Sequence, residues 1–447
     1  MPGAAQFLNI VLVFTDQQSL QAMGAAGNPW LRTPHMDALA AAGTRFERSY
    51  CTAPVCGPAR ACLVTGRAPH ETGVTWNGQG LRPGLPTLGQ VFRQRGYDTA
   101  WAGKWHLPKS YPTGREDIPG FENLALPPDH PSLKRTPSYG WPGYALGEST
   151  DAPFVDEAIR FLGRPRDRPF LLCVSLHNPH DICWWVRQSP LPRPTDGPLP
   201  PLPANFEPNP AEPAFLRACR ERDHYGEEIR FARQWAPDDW RAYLHAYYRM
   251  VERADAEVGR LMEALRRHPA ADRTLVVFTS DHGEGMAAHR WLAKLSFSEE
   301  VLRVPLVVRG PGVRAGAVNS EDLVGTTDLL PTLCDFAGIA PPPTRGVSLR
   351  PLLAGERRPS REFLVAELEP DPARPAMRGR MVRSARYKYC AYSDGAREET
   401  LHDLNADPGE TRDLARDPRC RGELARHREM LARWCRETSD PFPAPTP

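Results

Sequence analysis

"NIVLVFTDQQ", residues 9–18, decides how the rest of the chain is read. Five apolar residues in succession, Ile10 to Phe14, suit a strand covered on both faces, as in a parallel sheet. The run has no basic flank and no small-residue cleavage site, and it leads straight into polar residues. It therefore reads as a strand and not as a signal peptide. The same pattern recurs in "DTAWAG" (98–103), "FLLCVSL" (170–176), "TLVVFTS" (274–280) and "VPLVVRG" (304–310). Helical patterns lie between these runs: "PHMDALAAAG" after Thr33, "LPTLGQVFRQRG", "PFVDEAIRFLG" and a long candidate from Pro237 to His268. Alternation of this kind predicts an α/β fold with a large, mostly parallel sheet sandwiched by helices.

Two regions break the rhythm. Residues 189–213 are saturated with proline, which lacks the N–H that helices and sheets use, so an irregular surface excursion and a wall of the binding cleft are expected there. After residue 358, "REFLVAEL" and "RMVRSARYKYCAY" read as antiparallel strands, "SDG" as a hairpin turn and "GELARHREMLARWCRE" as an amphipathic helix. The expected division is a catalytic domain over 1–358 and a smaller C-terminal α+β subdomain over 359–447.

Charged residues make up 25% and hydrophobic residues 41% of the 447, the composition of a soluble globular chain. A net charge of +2 gives no reason to expect nucleic acid or an anionic membrane as partner. An anionic substrate must then be held by a local cluster of charge. No apolar run approaches the roughly 20 residues that span a bilayer. The expected location is the cytoplasm, or the periplasm or exterior if a leader has been removed. Ten cysteines in a chain this long are not a disulfide framework, and "CTAPVCGPARAC" (51–62) lacks the spacing of a zinc or redox pair.

Ligands in open α/β sheets bind beyond the carboxyl ends of the strands. Four runs end in polar residues suited to one site: Asp16 and Gln17; Lys104 and His106 of "GKWH"; His177, His180 and Asp181 of "HNPHD"; and Asp281 and His282 of "DHGEG". Asp16, Gln17, Asp281 and His282 offer two carboxylates, an amide oxygen and an imidazole, a donor set for a divalent cation. Helix capping is the plain alternative for each aspartate. Lys104, His106, His180 and Lys294 would surround that cation with positive charge and proton donors. His70, His224 and His245 read as structural histidines, and His289 as intermediate. In "CGPARACLVTG", Pro58 opens a helix that runs to Gly66. Cys56 would sit just ahead of its N-terminus, with the Arg60 guanidinium one turn on. Cys62, Cys173 and Cys334 read as buried structural thiols.

"CGPARACLVTGR" resembles the signature of the sulfatases, within the alkaline-phosphatase-like superfamily, in which the cysteine of a Cys-x-Pro-x-Arg motif becomes Cα-formylglycine (3-oxoalanine). "GYDTAWAGKWH" (96–106) resembles a second family signature. "NIVLVFTDQQ", "TPHMDALAAAGTRF", "SDHGEGMAAHRWLAKLSFSEEVLRVPLVV", "TTDLLPTLCDFAG" and "LHDLNADPGETRDLA" are also similar to family segments. The resemblance implies sulfate ester hydrolysis on a sulfated sugar or small organic sulfate. By it, Asp16, Gln17, Asp281 and His282 hold a metal, calcium by expectation, together with the modified Cys56. Arg60 and Lys104 hold the modified residue and the sulfate, His106 assists the hydrated aldehyde, and His180 and Lys294 face the leaving oxygen and the sulfate. A formylglycine-generating enzyme would be the maturation partner, and an oligomer is compatible with the resemblance. Asn77, His177, Trp184 and Trp185 are candidate parts of the substrate pocket.

The chain departs from the commonest family pattern at three positions. Gln17 replaces an aspartate, His282 an asparagine and Ala59 a serine. The first two make the metal site less anionic, which brings manganese and magnesium into consideration. "DQ" with "DH" also occurs in choline-sulfatase-like, glycan-sulfatase and phosphonate-monoesterase-like members. A phosphonate or phosphate ester hydrolase with the same centre is the runner-up, and a catalytically silent glycan-binding member is a distant third.

Overall fold

The structure is a computed structural model and describes residues 8–108, 117–126, 151–194, 198–209, 212–221, 228–357, 361–394 and 396–443. Among the described residues, ten strands precede residue 358: β1 (Asn9–Asp16), β2 (Thr44–Phe46), β3 (Ser49–Tyr50), β4 (Asp98–Gly103), β5 (Glu122–Asn123), β6 (Phe170–Pro179), β7 (Thr274–Ser280), β8 (Leu306–Arg309), β9 (Ala317–Asn319) and β10 (Val324–Gly325). Eight of them form one sheet in the order β5-β4-β6-β1-β7-β8-β2-β9. β1 lies at the centre, parallel to both β6 and β7. Only β8 runs against its neighbours, antiparallel to β7 and β2. The sheet is thus mostly parallel, as the buried apolar runs predict.

β1 shows why those runs do not alternate. Ile10, Leu12 and Phe14 pack with Leu63, Leu88 and Leu330 on one side of the sheet. Val11 and Val13 pack with Val155, Ala158, Val258 and Leu261 on the other. Helices therefore cover both faces: Cys56–Thr65, Leu88–Arg93 and Leu329–Phe336 on the first, Ala152–Leu162 and Pro237–Arg266 on the second. Parallel strands deliver their carboxyl ends to one edge, so residues from four distant segments meet there.

Residues 363–403 form an antiparallel sheet of β11 (Phe363–Leu368), β12 (Arg378–Ser384), β13 (Tyr387–Asp394) and β14 (Ala396–Asp403). The helix Arg421–Thr438 covers it through Leu424 and Leu431. "RMVRSARYKYCAY" divides into β12 and β13, joined at Ala385 and Arg386. Gly395, the glycine of the expected "SDG" turn, lies outside the described residues, as does His224. Among the described residues of 189–213 there is no helix or strand before Ala214. That excursion is tied to the long helix, where Arg241 donates to the Pro200 and Leu199 carbonyls at 3.0 and 3.1 Å.

An ionic cluster links this sheet to the helix Pro69–Thr72, which follows the Cys56 helix. His70 Nδ1 faces Glu367 Oε1 at 2.7 Å, and its Nε2 faces the Thr438 carbonyl at 3.2 Å. Arg380 grips both oxygens of Asp440 at 2.7 and 2.8 Å. With acceptors at both ring nitrogens, His70 is suited to the doubly protonated imidazolium. Burial pushes its pKa down, but the bond to Glu367 and the charges of Glu367 and Asp440 outweigh that and raise it. Its contribution to stability is therefore complete below the unfolded value of about 6.5 and fades as pH rises through the raised folded value. His70→Gln is expected to lose about 1.5–3 kcal/mol at mildly acidic pH. Denaturant unfolding of both proteins across pH should show the gap narrowing as pH rises; a constant gap would contradict this account.

Candidate active site

The helix Cys56–Thr65 begins at Cys56 itself, with Val55 extended at φ −155° as its cap, rather than at Pro58 as expected. Every residue of this helix is buried, and Gly66, left-handed at φ 66°, ends it. The Cys56 thiol is thereby fixed at the carboxyl edge of the sheet. Its Sγ lies 3.1 Å from His282 Nε2, 3.2 Å from Lys294 Nζ and 3.6 Å from Asp16 Oδ1.

Arg60 organises the carboxylates. Its Nη2 donates to Asp16 Oδ2 and its Nε to Asp281 Oδ2, both at 2.9 Å. Nη1 donates to the Lys104 carbonyl and to Ser175 Oγ, both at 2.7 Å, and the guanidinium lies 5.1 Å from the Phe14 ring centre. Arg60, Asp16 and Asp281 are all fully buried. Lys104 Nζ reaches Asp16 Oδ2 at 2.5 Å. Gly103 makes that approach possible: at φ +89° a Cβ on it would stand 2.1 Å from the Ser175 carbonyl oxygen.

Asp16, Asp281, His282 and Cys56 each offer one ligand atom, and the four atoms lie within 4.8 Å of one another. The His282 Nδ1–H donates to the Gly283 carbonyl at 2.8 Å, which leaves the Nε2 lone pair toward the cluster. Asp281 Oδ1 accepts the His282 and Gln17 backbone N–H groups at 2.8 and 3.1 Å. Gln17 Oε1 lies 3.1 Å from the same Lys294 Nζ that reaches Cys56. Two carboxylates, an oriented imidazole and a nearby amide oxygen fit a divalent cation with oxygen and nitrogen preference.

The charges shape the chemistry. Burial pushes Asp16 up, but Lys104, His180 and Arg60 outweigh it and hold the carboxyl well below its usual range. Burial and Asp16 push the Cys56 thiol up, while Lys104, Lys294 and His282 more than offset them and leave it below its ordinary value. Burial, together with Lys104 and Arg60, holds His106 well below the usual imidazole range. Burial, Lys104 and Lys294 do the same to His180. His180 Nε2 faces Lys294 Nζ at 3.3 Å, so its lone pair accepts from the ammonium.

The structure thus brings Asp16, Gln17, Cys56, Arg60, Lys104, His180, Asp281, His282 and Lys294 into one connected cluster, with His106 in its field. The pocket candidates fare differently. His177 is 1% exposed; its Nε2 lies 3.1 Å from Asp181 Oδ1 and its ring stands 4.8 Å from that of His180. It packs against His180, beside the cluster. Asn77 Oδ1 accepts the Gly57 N–H at 2.7 Å and steadies the backbone beside Cys56. Trp185 is a core residue, whereas Trp184 lies under the Arg187 guanidinium, 4.3 Å from its ring centre. His245 is buried in the long helix.

Residues not anticipated from sequence complete the site. Ser175 holds Arg60, and Asp151 takes the His177 and Asn178 backbone N–H groups. Glu284, in the quoted "DHGEG", accepts from Gln17, Tyr243 and the backbone.

A family model described as Sulfatase matches residues 8–339, and one described as N-sulphoglucosamine sulphohydrolase, C-terminal, matches residues 287–435. A Δ4,5-hexuronate-2-O-sulfatase of Bacteroides thetaiotaomicron is 33% identical over 453 residues, covering 97% of this chain and 90% of the relative. The structure of a 2-O GAG sulfatase superposes with a TM-score of 0.85 at 31% identity, covering 99% of this chain and 95% of that one. A phosphonate monoester hydrolase of Agrobacterium radiobacter superposes at 0.77 with 26% identity, covering 96% of each. The chain belongs to the sulfatase family and is a sulfuric ester hydrolase.

Proposed function

We propose that the protein hydrolyses sulfate esters on a sulfated carbohydrate, using a divalent cation and a formylglycine made from Cys56. The observation that carries this reading is the setting of Cys56 Sγ, within 3.6 Å of a carboxylate, an imidazole and an ammonium that all converge on it. Asp16, Gln17, Asp281 and His282 would hold the cation. The cation supplies stabilisation of developing negative charge, and the aldehyde at position 56, once hydrated, supplies the nucleophilic oxygen.

The remaining groups act from fixed positions. Arg60 ties Asp16 and Asp281 into one arrangement through their Oδ2 atoms, and the two carboxylates would help to hold the cation. Lys104 and Lys294 bring two ammonium groups to a site that must receive a sulfate, and they favour charge on its oxygens. Lys294 Nζ donates to His180 Nε2 at 3.3 Å, so the ammonium is the group placed to give a proton to the leaving alcohol oxygen. His106, held neutral by burial beside Lys104, would be able to accept a proton from a hydroxyl at position 56.

The sulfated-glycan substrate class is supported by the 2-O-sulfatase relatives, and the phosphonate monoester hydrolase likeness favours a second reading, hydrolysis of phosphonate esters at the same centre. Enzyme produced with a formylglycine-generating partner should be assayed on 2-O-sulfated unsaturated hexuronate disaccharides, other sulfated sugars, choline sulfate and an aryl phosphonate. The expected result is a kcat/KM on at least one sulfated saccharide about 100-fold above that on the phosphonate. The reverse order would replace the first reading with the second.

A further inference from the structure

Gln17 can present either end of its amide to the cluster, and only the oxygen can ligate a cation. Its backbone is held in the left-handed region at φ 71°, with its N–H on Asp281 and its carbonyl accepting the Tyr247 hydroxyl at 2.8 Å. The side chain then lies between two groups of opposite demand. On one side Nε2 donates to Glu284 Oε2 at 2.5 Å; on the other Oε1 accepts from Lys294 Nζ at 3.1 Å. Turning the amide over would set oxygen against carboxylate and NH2 against ammonium.

Glu284 has no freedom to accommodate that turn. It is fully buried, and its other oxygen, Oε1, accepts from the Tyr243 hydroxyl at 2.5 Å, from the Gly285 N–H at 2.9 Å and from the Ala293 N–H. The last two bonds close the segment that ends at Lys294. That segment is strained: Met286, Ala287, His289, Arg290, Ala293 and Leu295 are all left-handed, with φ between 49° and 72°. One carboxylate therefore reaches both Gln17 and the loop carrying Lys294.

We infer that Glu284 is a positioning residue: its carboxylate dictates that the Gln17 oxygen, and not the nitrogen, faces the cation position, and it seats the Lys294 loop. The inference rests on the proposed cation centre and explains how an amide serves where the commonest family pattern has a carboxylate.

Exchanging the two groups tests it. In Glu284→Gln an NH2 can stand opposite Gln17, whose amide turns to offer its oxygen to residue 284 and its nitrogen to the site. Adding Gln17→Glu restores a complementary pair, with the residue-284 amide donating and a carboxylate oxygen facing the cation position. Cation-stripped protein is titrated with manganese by calorimetry, and near-UV circular dichroism monitors the fold. E284Q is expected to bind about 10–100-fold more weakly than the unaltered chain, as for other residues that orient a ligand. The double variant Q17E/E284Q should recover to within about threefold. Unchanged affinity in E284Q overturns the inference, and so does a double variant that does no better than E284Q in affinity or in folding. An unaltered chain that binds no divalent cation would instead refute the cation centre itself.

Discussion

Cys56→Ala, produced with the formylglycine-generating partner, is expected to lose about 10⁴–10⁶ in kcat on the best sulfate ester while remaining folded. The size follows from the chemistry assigned to position 56. Without the aldehyde, position 56 offers no nucleophilic oxygen, and the residual rate comes from bound charge. Folding should barely register the change, since the substitution removes one buried sulfur at a cost of about 1 kcal/mol. Cys56→Ser separates nucleophilicity from turnover. A serine oxygen can attack sulfur, but the resulting ester has no second hydroxyl through which to collapse. It should give at most one turnover and a stable sulfate adduct on the peptide 51–67, visible by mass spectrometry. Because the whole helix Cys56–Thr65 is buried, folded unconverted protein is expected to stay inactive when the modifying enzyme is added later. Activity of Cys56→Ala within tenfold of the parent would end the formylglycine reading.

Several parts of this site that were legible in sequence share one property: each is a polar residue at or just beyond the end of a buried strand. Asp16, Lys104, His180 and Asp281 are of this kind, because a continuous apolar run announces the strand and parallel order forces its carboxyl end to the ligand edge. Ser175 escaped notice because it lies inside the apolar run of β6, where a serine reads as a tolerated small residue. Its partner, Arg60, comes from 115 positions away. Glu284 was in plain view in "DHGEG", yet three of its four donors, Gln17, Tyr243 and Ala293, depend on how the long helix and a left-handed loop pack. His177 lies inside β6, which continues to Pro179, and the strand sets it against Asp181, a contact that sequence order alone did not give. Of the C-terminal sheet, the strands and the helix were readable from pattern. The His70–Glu367–Asp440–Arg380 cluster was not, because its members lie up to 370 positions apart and none has a local signature.

Arg60→Lys should be the most destabilising conservative change in the site, and the cation should partly reverse it. The guanidinium spends its Nε on one carboxylate, its Nη2 on another and its Nη1 on a carbonyl and a hydroxyl, all fully buried. A lysine ammonium on a flexible stem cannot span Asp16 and Asp281 together. One carboxylate is left without its buried partner, and breaking such a pair costs about 3–5 kcal/mol. A divalent cation held by the two carboxylates would relieve the same repulsion. The stabilisation conferred by calcium or manganese should therefore be larger in Arg60→Lys than in the parent, by whatever part of that loss the ion repays. Activity should fall about 10²–10³-fold even at saturating cation, because the carboxylates no longer hold their spacing while charge develops on the sulfate. Thermal unfolding with and without the ion separates the two effects. If Arg60→Lys unfolds within about 1 kcal/mol of the parent and gains no more from the cation, then Arg60 is not what keeps the two carboxylates apart, and the arrangement of the centre must be explained by Lys104 alone.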